Sequence, residues 1–127
     1  MEKYPRFFTQ KQANQLLEVI RPLVAEMLHI RKKIVDLQPQ LESALNKAVN
    51  NGGSLVSAEA LEAFESMKAV LYTIQQYDVF VKDVNTGLVD FPSIREDEVV
   101  FLCWRFGEDE IKYWHELESG FEGRKPL

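Results

Sequence analysis

The sequence predicts an α+β protein, a long antiparallel helical hairpin followed by a small antiparallel β meander packed against it. Three observations carry this expectation. Apolar residues fall at Leu16, Ile20, Leu23, Met27, Ile30, Ile34, Leu37 and Leu41, in alternating steps of four and three, the seam of a helix that has a helical partner. Asn50-Asn51-Gly52-Gly53-Ser54 then tolerates the left-handed backbone angles that end helices. After Tyr77 the pattern changes to β-branched and aromatic residues at strand spacing, in Val79-Phe80-Val81 and again in Val99-Val100-Phe101-Leu102.

The first helix is expected over residues 9–49. Thr9 is placed to cap its free amides, Gln12 to return a hydrogen bond, and Phe8 to staple onto Ala13. Pro22 removes one backbone donor inside the pattern and predicts a kink near Glu18; Pro39 predicts a bend or a restart near Gln38. The second helix is expected over residues 57–77, capped by Ser57, with Leu61, Phe64, Met67, Leu71 and Ile74 on its apolar face. A β meander should fill residues 78–117. Its first hairpin turns at Asn85-Thr86-Gly87 and pairs Leu88 to Phe91 back until Pro92 stops it; the strand Glu98 to Arg105 follows, then one from Ile111 to Glu116. The tail, residues 118–127, has glycines for close approach and Phe121 to dock, so it should be ordered.

At 127 residues and 46% hydrophobic content, residues 1–127 suit a single domain, because a second core would have too little volume. The apolar runs fall far short of the roughly 20 residues needed to span a bilayer, and no secretory h-region follows Met1. A soluble protein is expected. The lone Cys103 has no internal disulfide partner and suits a reducing, cytoplasmic compartment. Net charge is -5, with ten acidic and ten basic residues before Gly87 and ten acidic against five basic from Gly87 onward. That acidic final third repels phosphate backbones and disfavours a nucleic-acid partner.

The same third holds the groups that can do chemistry or recognition. Asp90, between Val89 and Phe91, must face solvent or find a partner, and Arg124 or Arg105 is the expected one. Strict alternation puts His115 with Ile111, Tyr113 and Leu117, opposite Lys112, Trp114 and Glu116. A histidine so placed is either a hydrogen-bonded structural residue or a general base, and Asp90 and His115 are the catalytic candidates. Asp83, Asp90, Cys103 and His115 are weak metal candidates, since no closely spaced His or Cys pair is present; no cofactor is expected. Cys103 invites a nucleophile reading, with His115 as its base, but its apolar strand favours a buried, protonated thiol. Asp90, Trp104, Glu108, Trp114, His115, Glu116, Phe121 and Arg124 form the candidate ligand or partner surface.

Several segments resemble a family of small bacterial proteins known only as a domain of unknown function. They are Gly-Leu-Val-Asp-Phe-Pro (Gly87 to Pro92), Leu-Cys-Trp (Leu102 to Trp104), Gly-Glu (Gly107-Glu108), Trp-His-Glu (Trp114 to Glu116), Gly-Phe (Gly120-Phe121) and Gly-Arg (Gly123-Arg124). Phe-Thr-x-x-x-Ala-Asn (Phe8 to Asn14) and Arg-Pro-Leu (Arg21 to Leu23) also fit, so the resemblance spans nearly the whole chain. Members usually carry Gly-Arg before the Leu-Cys-Trp strand, where this chain has Asp97-Glu98. The resemblance implies a shared fold and site and names no chemistry. The functional expectation is a non-enzymatic binding or assembly protein acting through the carboxy-terminal β platform on a protein or small-molecule partner, as a homodimer formed through the first helix. The alternative is a small hydrolase or metal-dependent enzyme using Asp90 and His115.

Overall fold

The computed structural model describes residues 3–51 and 57–127, and the side chains at 44 and 48–51 are not described; of the predicted breaker Asn50-Asn51-Gly52-Gly53-Ser54, the two asparagines belong to the first helix and the rest lies outside the described residues. Helix α1 spans Gln10–Asn51 and α2 spans Ala58–Gln75. Five strands follow: β1 Phe80–Asp83, β2 Leu88–Arg95, β3 Glu98–Arg105, β4 Tyr113–Glu116 and β5 Lys125–Pro126. They form one antiparallel sheet in the order β1-β2-β3-β4-β5. The α+β class is as the sequence predicts.

Both helix starts follow local chemistry. Gln12 donates its amide to Thr9 Oγ1 at 3.1 Å while Thr9 donates its own to Gln12 Oε1 at 3.0 Å, a reciprocal capping box. Ser57 Oγ accepts from the Ala60 amide at 3.1 Å. Helix α1 continues through Pro22 and Pro39, so the expected restart near Gln38 is not found; each proline lacks the backbone donor of a helical rung.

The buried face of α1 is broader than a two-position seam. Ala13, Leu17, Ile20, Val24, Met27 and Ile30 join Val70 and Ile74 of α2 and Val89, Phe91, Leu102 and Trp104 of the sheet in one core. Leu16, Leu23 and Ile34 lie at its margin, because α1 packs on the sheet as well as on α2. Near the interhelical loop, Leu37 meets Ala60 and Ala63. The small alanines face α1 there, so the predicted apolar face is corrected at two positions: Leu61 and Phe64 are exposed.

Strand β2 runs on through Pro92 to Arg95, correcting the expected stop. The Pro92 carbonyl accepts from the Phe8 amide at 2.7 Å, on the side of β2 away from β3. Within a strand, N–H and C=O of one residue point to the same side, so the missing proline donor costs no β2–β3 rung. β1 pairs only with Leu88, Val89 and Asp90; beyond it, the segment before α1 lies along the open edge, and Ser93 Oγ donates to the Phe8 carbonyl at 2.6 Å. The β2–β3 hairpin closes on Glu96 and Asp97 with φ of 52° and 64°.

Candidate functional site

Register separates the sheet into two faces. Val89 and Phe91 sit across from Trp104 and Leu102 on the helical side, which places Asp90 opposite Cys103 and Pro92 opposite Phe101 on the outer side. Phe101 is in turn opposite His115, and Cys103 opposite Tyr113. Asp90, Cys103 and His115, from three adjacent strands, therefore converge on the outer face, with ligand atoms within 4.8 Å of one another.

The expected alternation along β4 needs one correction. Tyr113 and His115 face outward, but Ile111 precedes the strand and turns into the helical core. Its amide donates to Asn14 Oδ1 at 2.7 Å and its carbonyl accepts from Gln10 Nε2 at 3.0 Å. Side chains of α1 thus satisfy a backbone that leaves the sheet ladder. Arg21 does the same for the β3–β4 loop, donating to the carbonyls of Glu108 and Asp109 at 3.0 and 2.8 Å.

The three converging groups are sealed: Asp90 is 1%, Cys103 0% and His115 2% exposed. Phe101 packs beside the His115 ring with centroids 5.6 Å apart, and Tyr4 meets the rings of Phe80 and Phe101 at 5.7 Å each. Lys82 lies 4.5 Å from the Phe101 centroid. Asp90 is therefore paired not with Arg124 or Arg105, as expected, but with His115, whose Nε2 lies 2.9 Å from Oδ2. The reason is register: both project from the outer face of the sheet under the same aromatic cover, whereas Arg124 lies on the tail beyond β4.

The hydrogen-bond partners of His115 limit the protonation states open to this pair. His115 Nδ1 is 2.7 Å from the Glu116 carbonyl, which can only accept, so Nδ1 carries a proton. Nε2 and Asp90 Oδ2 then share one further proton, as neutral acid with neutral imidazole or as carboxylate with imidazolium. Burial raises the Asp90 carboxyl above its ordinary 3.8, outweighing the lowering by His115 and Lys82. Asp90 Oδ1 is buried with no partner. Burial, followed by the Asp90 charge, pushes the Cys103 thiol up to about 12, so it is a protonated thiol at neutral pH and not a ready nucleophile.

The remaining predicted site residues divide among other roles. Trp104 is fully buried against the helices, its Nε1 donating to the Glu108 carbonyl at 3.0 Å. Glu108 accepts from the Arg105 amide and from Arg124 Nη2, which reaches both carboxylate oxygens at 2.7 Å. The Arg124 guanidinium lies 4.0 Å from the Tyr113 centroid and 4.6 Å from that of Phe121, and Arg105 covers Phe121 at 5.0 Å. Trp114 sits between Arg95 and Lys125 at 4.7 and 4.9 Å, and Glu116 pairs with Lys125 at 3.0 Å. Asp83 holds the β1–β2 turn, accepting from the Asn85 amide and the Thr86 hydroxyl, and stays apart from the buried trio. Gln10, Asn14 and Arg21 escaped the site reading; their signal was polar side chains on the otherwise apolar inner margin of α1.

Fold and site together define a small α+β protein in which a helical hairpin backs a five-stranded meander whose outer face buries an Asp–His–Cys trio. The chain belongs to the family described as Uncharacterized conserved protein (DUF2203), whose model matches residues 6–127. No curated protein and no solved structure matches it. Among the described residues, no helix is long and apolar enough to cross a membrane.

Proposed function

We propose that this chain is a non-enzymatic binding or assembly protein of the bacterial cytoplasm, with the sheet and tail as its platform and the helical hairpin as its support. One observation carries the reading: the groups that could do chemistry are sealed, while the Arg105–Phe121–Arg124–Tyr113 stack is partly open, Phe121 being 36% exposed. Stacking and the Arg124–Glu108 pair hold these side chains in place before any partner arrives, so little conformational entropy remains to be lost on binding. Aromatic and arginine side chains of this kind anchor protein interfaces. The occupant is a partner protein, since the stack offers a surface rather than an enclosed cavity. Exposed Leu61 and Phe64, with Leu45 on α1, support self-association through the helical hairpin.

Crosslinking mass spectrometry of untagged protein in its native lysate, compared with Phe121→Ala and Trp114→Ala, tests the reading. Loss of a crosslinked partner from folded variants supports it; folded variants that retain every partner would count against it. A second reading, a small hydrolase or metal-dependent enzyme, is favoured by the convergence of Asp90, Cys103 and His115. A purified protein that turns over ester, amide or phosphoester substrates, and loses that turnover in Asp90→Asn, would favour it instead.

A further inference from the structure

We propose that Asp90, Cys103 and His115 form a Zn²⁺ site that staples β2, β3 and β4 together on the outer face of the sheet. Three donors of different chemistry converge from three strands, within 4.8 Å of one another and all buried. A tetrahedral zinc ion with bonds of about 2.0–2.3 Å needs donor separations of roughly 3.3–3.7 Å. The His115–Asp90 contact at 2.9 Å must open by a few tenths of an ångström, and the thiol must close by about 1 Å at most, within the reach of side-chain torsions.

The second observation is Asp90 Oδ1, a buried carboxylate oxygen with no partner. In the metal-free arrangement that atom is buried without a hydrogen-bond partner, which is unfavourable. A cation among the three donors supplies the missing contact. Charge also balances, since one dication with a thiolate and a carboxylate leaves a sealed site neutral. His115 is already oriented for it: Nδ1 donates to the Glu116 carbonyl and turns Nε2 toward the cluster, as metal-bound imidazoles are held by outer hydrogen bonds. Thiolate and imidazole select a borderline-soft ion over Mg²⁺ or Ca²⁺. Loading releases two protons, one from the thiol and one that His115 and Asp90 share, while three coordinate bonds form and no electron is transferred.

This inference stands apart from the partner-binding reading, and loss or retention of the Phe121 interaction leaves it untouched. Untagged full-length protein is titrated with Co²⁺ both in the folded state and during refolding, so that slow entry cannot hide the site. The expected result is one Co²⁺ per chain with a thiolate-to-metal charge-transfer band, displaced by Zn²⁺. Cys103→Ser should lose the band. Asp90→Asn, which preserves side-chain shape and a hydrogen bond to His115, should bind Co²⁺ at least about 10-fold more weakly. Wild-type protein, folded by circular dichroism, that shows no thiolate band under either protocol would overturn the proposal. So would equal affinity in folded Asp90→Asn.

Discussion

At Asp90 a single oxygen decides how the outer face is held. If the buried pair shares its proton as a neutral acid and imidazole, Asp90→Asn retains a donor to His115 and should cost less than about 1 kcal/mol in chelator. His115→Ala strands the carboxyl and should cost about 1–3 kcal/mol; denaturant unfolding measures both. The pH dependence has a definite sign. A carboxyl whose folded value is raised above 3.8 binds its proton more tightly in the folded state, so its contribution is present below 3.8 and is lost as pH rises through the folded value. The stability difference should therefore move in favour of Asp90→Asn as pH increases from 4 upward. Cys103 follows the same logic in another window, between its ordinary 9.0 and about 12. At pH 8 the native thiol should resist iodoacetamide for as long as the chain stays folded, and react at once in denaturant.

Turns and the tail are decided at the level of elements. Asp97 has φ of 64° in the two-residue β2–β3 turn, a left-handed conformation that costs a non-glycine residue about 1 kcal/mol. Asp97→Gly should raise stability by about that amount in thermal or urea unfolding. Gly87 is the opposite case. With φ of 73°, an added Cβ would meet Phe106 Cβ at 2.8 Å and Val24 Cγ1 at 2.9 Å, so Gly87→Ala should cost about 2 kcal/mol or more by the same measurement. The tail is a fifth strand rather than a mere ordered end: β5 pairs with β4, and the Leu127 amide donates to the Lys112 carbonyl at 2.9 Å. Arg124→Lys should release it, seen as faster amide exchange at Leu127 and Trp114, because an ammonium cannot reproduce the planar stacking between Tyr113 and Phe121.

Across the whole molecule, the helical hairpin and the sheet share one core through α1, and the exposed apolar side chains at the loop end lie outside it. Leu61 is 55% and Phe64 45% exposed. Replacing both with glutamate should leave the unfolding midpoint nearly unchanged, since no core contact is lost. If the hairpin self-associates there, sedimentation equilibrium will show the double variant at a lower mass than the parent; equal masses would remove the dimer.

The sequence by itself determined whatever depends on near neighbours. Thr9 with Gln12, Ser57 with Ala60, the period of α1 and the change to strand spacing after Tyr77 are all local, and each is legible because hydrogen-bonding reach and helical or pleated geometry are fixed over a few residues. It could not determine which partner a side chain takes across 25 residues of chain. Asp90 met His115 rather than Arg124, Leu61 and Phe64 gave way to Ala60 and Ala63, Pro92 stayed within its strand, and Ile111 left its own for the helix side. Each outcome was set by register and by which element covers which face, properties of the assembled sheet. The convergence of Asp90, Cys103 and His115 belongs to that second kind: three residue types visible in the sequence, made into a site only when three strands align.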